Sequence, residues 1–399
     1  MKTSRRNFLR SAAFAGAGAM TGGIIQGCSP KAPESNMPEI IAAVKKIHSQ
    51  RFNMSGYGAP PLPVVRVGLI GLGDRGSGAV QRLSYIEGVE IKALGDLREA
   101  AVKGSQRYLK RTGRPEAAEF FGDNEIWKKL IEMPDLDLIY ICTPWVWHAQ
   151  MAAYAMEQGK HVVCEVPLVR TVDEAWLLVE TSEKTKKHCM MLENCCYDFF
   201  ELLTLNMARQ GLFGDIVHGE GAYIHNLVEM NFKKPDDSRQ TDGAYTGMWR
   251  LRENASRNGN LYPTHGLGPI CQIMNINRGD RMDYLTSMSS NDFTMGKRAN
   301  MLASEDAFYT EFANRKYRGN MNTTVVKTAL GRTIMIQHDI SSVRPYSRLH
   351  VVSGTDGFAM KYPSERIALG HSWLKDEEMK EVWDKYTPEI IKRVGEMAK

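Results

Sequence analysis

Ten residues constrain this chain more than any others: Val67-Gly68-Leu69-Ile70-Gly71-Leu72-Gly73-Asp74-Arg75-Gly76. An apolar run enters a G-x-G-x-x-G turn and a helical pattern leaves it, as a strand–turn–helix unit requires. Asp96 stands twenty residues beyond Gly76, at the end of the next apolar run. In such a unit Gly71 permits the tight turn, Gly73 lets the backbone approach a pyrophosphate, and Gly76 lets helix and sheet pack closely. The helix N-terminus offers N–H donors and about half a positive charge to the phosphates. Asp96 can accept from ribose hydroxyls and would repel an extra phosphate, so the predicted cofactor is NAD rather than NADP.

The pattern around the turn predicts an α/β fold. Val64–Ile70, Val89–Leu94, Leu136–Cys142, His161–Cys164 and His188–Leu192 read as buried strands. Helical stretches such as Ser77–Ile86, His148–Gln158 and Val172–Lys186 lie between them. This alternation predicts a doubly wound parallel sheet over residues 64–193. A helix over Tyr197–Gln210 follows. The texture then changes, and Ile216–Ile224, Met282–Ser289, Thr323–Ala329, Arg332–Asp339 and Leu349–Ser353 read as strands without regular crossover helices. Residues 194–399 are therefore expected to form an α+β domain with an open, mainly antiparallel sheet, with a hairpin turn at Ala329–Arg332 and a helical, charged end from Trp373.

The first 28 residues hold Lys2, Arg5, Arg6 and Arg10 and no acid, so they carry four of the chain's five net positive charges. The rest is nearly neutral, which argues against nucleic acid as a partner. Ser4-Arg5-Arg6-Asn7-Phe8-Leu9-Arg10 resembles a twin-arginine export signal. The Ala/Gly-rich stretch after it is poorly suited to span a membrane permanently. Ile25-Gln26-Gly27-Cys28 resembles a lipobox, so residues 1–28 are read as a signal and Cys28 as a lipid-bearing membrane anchor, the alternative being cleavage without lipidation. Residues 29–63, with Ala59-Pro60-Pro61-Leu62-Pro63, read as a tether. Of the seven cysteines none forms a C-x-x-C, and no Cys/His spacing suggests zinc, so no metal and no disulfide framework are expected. A homo-oligomer is compatible with this reading.

Ligands of doubly wound sheets bind beyond the carboxyl ends of the strands. Three later strands end in Thr143-Pro144-Trp145-Val146-Trp147-His148, Glu165-Val166-Pro167 and Glu193-Asn194. Topology brings these loops to one edge beside the nicotinamide. The alternatives are interdomain packing for Trp145 and Trp147 and helix capping for His148.

These segments resemble the glucose–fructose oxidoreductase/inositol dehydrogenase superfamily, whose members typically carry a catalytic Lys in an E-K-P motif. Here the motif reads Glu165-Val166-Pro167, so that Lys is absent. The chain is more similar to glycoside hydrolase family 109, the NAD-dependent α-N-acetylgalactosaminidases. The resemblance is carried by Gly71–Gly76, Trp145–His148, Glu165–Pro167, Met190–Asn194, Gly221-Ala222-Tyr223, Trp249-Arg250 and Asn258–Gly266. It implies NAD contacts from Asp74, Arg75, Asp96, Trp145, Val146, Trp147, His148, Glu165, Val166 and Asn194. It implies sugar contacts from Tyr223, Arg250, Tyr262, Pro263, Thr264 and His265. Family members continue beyond this chain's last residue, into a segment expected to supply an aromatic residue to the sugar pocket and closing strands to the second sheet.

An ordinary glycosidase uses two carboxylates flanking the scissile bond. Glu165, Glu193 and Asp198 instead cluster at the cofactor edge. The resemblance implies another route: oxidation at sugar C3, elimination across C1–C2, water addition and re-reduction. His265 is the candidate for the O3 proton, with Tyr262 sharing its face if the segment turns helically. Tyr197 is the candidate C2 base, and Arg250 would hold substrate oxygens or stabilise the enolate. The competing expectations are a net sugar oxidoreductase and a glycan-binding lipoprotein without turnover.

Overall fold

The computed structural model describes residues 50–234 and 245–397. The predicted export signal, Cys28 and the first part of the tether lie outside the described residues.

Strands β1 (Val65–Ile70), β2 (Val89–Gly95), β3 (Ala118–Phe120), β4 (Leu138–Ile141), β5 (His161–Glu165) and β6 (Cys189–Leu192) form the first sheet. All pair in parallel, in the order β3-β2-β1-β4-β5-β6. Helices α1 (Asp74–Leu83), α2 (Glu99–Arg111), α3 (Ile126–Ile131), α4 (Trp145–Glu157) and α5 (Val172–Thr185) connect and follow these strands. This is the doubly wound order, with its ligand crevice where the winding reverses, between β1 and β4. Leu69, Val80, Leu94, Val102 and Leu109 fill one side of the sheet. Ile139, Ile141, Ala152, Met156 and Val162 fill the other. Burial on both faces explains why these strands read as continuous apolar runs. The predicted strands are present with ends shifted by one or two residues, and only the three-residue β3 escaped the pattern. Helices α1 and α4 each begin three residues earlier than predicted, so both start inside the site motifs.

The end of the predicted tether is not a free linker. Phe52 meets Tyr57 edge-on at 5.4 Å, and Tyr57 lies 5.4 Å from the His188 ring. Lys186 sits 4.9 Å over Phe52, and Arg51 N–H donates to Glu183 at 2.9 Å. Two aromatic rings in a Pro-rich segment have found a surface at the end of α5.

The second sheet contains β7 (Ile216–Ile224), β8 (Met282–Ser289), β9 (Asn322–Thr328), β10 (Thr333–Asp339), β11 (Ser347–Gly354), β12 (Gly357–Met360), β13 (Arg366–Leu369) and β14 (Ser372–Trp373). Their order is β14-β13-β12-β11-β7-β10-β9-β8, antiparallel except for the β7/β10 pair. The hairpin at Ala329–Arg332 is present, with Gly331 at φ +87°. The sheet runs three strands beyond β11, further than the sequence pattern indicated.

Helices α6 (Phe199–Arg209), α7 (Val228–Phe232), α8 (Trp249–Ser256), α9 (Thr264–Ile273), α10 (Met295–Glu305), α11 (Asp376–Tyr386) and α12 (Glu389–Met397) complete the domain. The helix expected from Tyr197 is split, because Asn194–Tyr197 form a 3-10 turn ahead of α6. Phe200, Leu203, Met207, Ile270 and Met274 pack against Ile334, Ile336, Val352 and Ile367.

One ion pair pins β1 to the entry of β4. Asp137 accepts from Arg66 N, Nε and Nη2 at 2.9, 2.9 and 2.7 Å. The Arg66 hydrogen bond holds the Asp137 carboxyl below its usual range. Its folded value lies below its unfolded one, so its contribution is complete above about pH 4 and is lost as pH falls through the folded value. Denaturation curves between about pH 6 and 3 should therefore show a fall in stability that Asp137→Asn removes, with the variant less stable at neutral pH.

Candidate active site

The glycine turn is built as its sequence implies. Gly71 has φ +88°, and a Cβ there would sit 2.7 Å from the Cys142 carbonyl. A Cβ on Gly76 would lie 1.8 Å from Gly71 O, so helix and turn touch without a side chain between them. Gly73 is the N-cap of α1, with no side chain capping the helix, and its nearest neighbour is Arg98 Nη2 at 3.9 Å. The helix start is thus open to an anion, with Asp74 and Arg75 exposed on its first turn. Asp96 lies beside the turn, accepting from Leu72 N at 2.7 Å and from Arg98 N at 2.9 Å. An uncapped helix, a side-chain-free cradle and a carboxylate at the second strand end fit a dinucleotide.

The three later loops divide between ligand edge and scaffold. His148 is buried, and its ring nitrogens face Pro167 O at 2.8 Å and Thr143 O at 2.7 Å. It ties the loop after β4 to the loop after β5, so its polar atoms serve the scaffold. Trp147 packs into the core beside α4 rather than toward the second sheet. Trp145 faces the other way, stacking on Tyr262 at 5.5 Å and 17° and meeting Trp249 edge-on at 5.1 Å. It therefore joins the predicted cofactor edge to the predicted sugar site. Val146 and Asn194 are exposed, and Val166 is buried with Trp145 and Tyr223. Glu165 accepts from the Tyr140 hydroxyl at 3.2 Å.

His265 is set by an unusually close backbone approach. It occupies the first turn of α9, which crosses β7 where both elements carry glycine. A Cβ on Gly221 would lie 2.2 Å from Gly266 O, and one on Gly266 would lie 2.1 Å from Ala222 N. The crossing puts His265 edge-on to Tyr223 at 5.2 Å and to Tyr262 at 4.8 Å. Gly268 clears space for Glu193, since a Cβ there would lie 3.0 Å from Glu193 Cγ. Glu193 Oε1 then meets His265 Nδ1 at 2.7 Å and accepts from Cys195 N at 2.9 Å. Burial would raise the Glu193 carboxyl, but the bonds from His265 and the Cys195 backbone hold it below its usual range. An ionised Glu193 fixes the proton on Nδ1 and leaves Nε2 as the acceptor. Sequence reasoning saw both residues but not their pairing.

Arg250 lies inside an aromatic cage. Its guanidinium carbon is 4.9 Å from the Tyr245 and Tyr262 rings, 5.1 Å from Trp145 and 6.0 Å from Tyr223. Nη1 donates to the Tyr245 hydroxyl at 2.6 Å, whereas Nε and Nη2 are buried without a partner. Thr264 Oγ1, Asn260 Nδ2 and Glu193 Oε2 are also buried and unpartnered. Buried polar atoms without partners are destabilising, and their concentration here marks a place for a polar ligand.

Tyr262 belongs to this wall, and burial pushes its phenol up, which disfavours its ionised form. It also precedes α9 instead of sharing its face. Tyr197 is 57% exposed, and none of the hydrogen bonds or ring contacts that knit the cluster includes it. Three further residues do join. Tyr346, at the entry to β11, lies 5.1 Å from His225 and 6.5 Å from Tyr223, and His225 Nδ1 is 3.1 Å from the Tyr223 hydroxyl. Tyr245 closes the Arg250 cage. No local pattern announces these positions.

Fold and turn together define an NAD-binding protein of the Rossmann type. Residues 65–193 match the family described as oxidoreductases with an NAD-binding Rossmann fold, and residues 197–399 match the glycosyl hydrolase 109 C-terminal domain. An α-N-acetylgalactosaminidase of Bacteroides fragilis is 49% identical over 335 residues, covering 83% of this chain and 77% of that protein. One from Shewanella oneidensis is 41% identical over 403 residues, covering 99% and 82%. Among solved structures, an aldose–aldose oxidoreductase from Caulobacter crescentus complexed with glycerol shares the fold. It has a TM-score of 0.56 and 18% identity over 82% of this chain and 90% of that one. The chain belongs to glycosyl hydrolase family 109. It is a hydrolase that uses NAD.

Two glycine substitutions test the geometry. Gly76→Ala should leave purified protein depleted of NAD, read by mass spectrometry of the denatured extract. Gly266→Ala should destabilise by at least about 1–3 kcal/mol, as overpacked contacts do, read by chemical denaturation.

Proposed function

We propose that the protein removes terminal α-N-acetylgalactosamine, or a closely related hexose, from glycans through oxidation at C3, elimination, water addition and re-reduction. The observation that carries the reading is the buried Glu193–His265 pair, set among unpartnered polar atoms beside the glycine-turn domain. When bound, NAD supplies a reversible hydride acceptor. Glu193 holds His265 in the tautomer whose Nε2 takes the O3 proton and later returns it. The free Nε and Nη2 of Arg250 donate to substrate oxygens and stabilise negative charge that develops there. Tyr223, Tyr262 and Trp145 offer ring faces to sugar C–H groups.

The disposition of the other carboxylates supports this route. Glu165 is bonded to Tyr140, and Asp198 to Arg348 and Lys361. Each is engaged in a bond of its own rather than left free for the two-carboxylate mechanism. The relatives' names support the choice of sugar. The twin-arginine segment and the Cys28 lipobox support export with a lipid anchor. That route carries folded proteins and lets NAD be enclosed before export.

Purified protein should release aglycone from a chromogenic α-N-acetylgalactosaminide without net NADH. Accumulating NADH, or sugar binding without release, would overturn the proposal. His265→Gln should lower kcat by about 10²–10⁴-fold with NAD content unchanged. In cells, Arg5→Lys with Arg6→Lys should block export, and Cys28→Ala should move the protein from the membrane to the soluble fraction.

A further inference from the structure

The Glu193–His265 pair has a third buried neighbour. A carboxylate oxygen of Glu193, Sγ of Cys195 and a ring nitrogen of His265 all lie within 4.8 Å of one another. The three residues are 5%, 2% and 5% exposed. Glu193 Oε1 is occupied by His265 and by the Cys195 backbone, while Oε2 is buried with no well-formed hydrogen bond, the Thr264 hydroxyl lying near the carboxyl. The spacing Glu193-x-Cys195 within the 3-10 turn places carboxylate and thiol side by side. His265 arrives from α9, 72 residues away, so no Cys/His spacing in the sequence reveals the cluster.

We propose that Glu193, Cys195 and His265 form a latent site for a divalent transition metal, zinc above all, which captures the catalytic pair and silences the enzyme. One oxygen, one sulfur and one nitrogen match the donor set and count of zinc sites that keep a fourth position for water. Thiolate and imidazole donors disfavour magnesium and calcium. The charges close as well. Cys195 loses its thiol proton to solvent, and thiolate plus carboxylate then neutralise the dication, with His265 binding as a neutral ring. A net-neutral cluster is one that a buried site tolerates. Arg348, which acts on Cys195, and Lys361 are already paired with Asp198 and Glu201.

Metal binding stands on the geometry alone, whereas silencing rests on the reading of His265 as the proton-transfer group. The full chain with its NAD, cleared of metal by a chelator, is titrated with cobalt(II) chloride and then zinc(II) chloride. One equivalent of cobalt should bind with a sulfur-to-cobalt charge-transfer band, and zinc should displace it. Cys195→Ser should abolish the band and weaken zinc binding at least about tenfold, and Glu193→Gln should weaken it to a similar degree. Cys196→Ser, which removes the adjacent buried thiol, should keep the band. No bound metal, a band that survives Cys195→Ser, or one lost in Cys196→Ser overturns the site. One bound zinc should reduce glycoside turnover at least tenfold without releasing NAD. Undiminished turnover with zinc bound would leave the site standing and overturn both the silencing and the role given to His265.

Discussion

Helix α9 lies so close to β7 that neither Gly221 nor Gly266 has room for a Cβ, and the placement of His265 follows from that contact. A helix one side chain further away would lift His265 off Tyr223 and out of reach of Glu193. Gly268 extends the same clearance to the Glu193 side chain. His265 is thus held by a packed helix and Glu193 by the junction of β6 with the 3-10 turn, and positions held by packed elements keep tighter tolerances. The glycine turn of the first sheet works the same way, with Gly76 against Gly71. Both halves of the site are set by what is missing from the backbone.

Polar groups in this region fall into two populations. Asp198, Glu201, Arg348 and Lys361 are paired with one another, and His350 Nε2 meets Thr204 Oγ1 at 2.8 Å. These bonds tie β11 to α6 across a bulge in which Leu349 and His350 both have positive φ, a conformation unfavourable for non-glycine residues. That network leaves His350 Nδ1 unpartnered, whereas Arg250 has two buried nitrogens without partners. The first group, largely paired, holds strained backbone in place. The second carries a free-energy penalty that a ligand can relieve, which is the arrangement expected of a site rather than of a scaffold.

Features written within one element were legible in the sequence. The glycine turn, Asp96, the alternation of the first sheet and the hairpin at Gly331 all depend on neighbours in the chain, and all are present. His265 stood out through its resemblance-bearing segment. Features made by crossing elements were hidden. The partner of His265 lies in another domain, and the cage around Arg250 draws rings from four separate segments. Trp147 and His148 share a motif with Trp145, yet successive positions on a helix point in different directions, so one motif serves core, scaffold and site at once. Tyr197 stands outside the bonded cluster for a related reason: it ends a 3-10 turn, and the turn leaves it largely in solvent.

The missing lysine of the E-K-P motif acquires a physical meaning in this setting. Val166 takes its place and is buried in the cluster that contains Trp145, Tyr223 and Tyr262. A lysine there would bring an uncompensated cation beside Arg250, which already has no carboxylate among its bonded partners in the described residues. The position that carries the lysine in the superfamily this chain resembles is here part of an apolar wall. On the proposed route proton transfer falls to His265, a residue of the second domain, with Glu193 from the first behind it. Cofactor binding and proton handling would then be assigned to different domains. On that route the division lets a fold shared with oxidoreductases return its hydride to the same sugar and finish as a hydrolase.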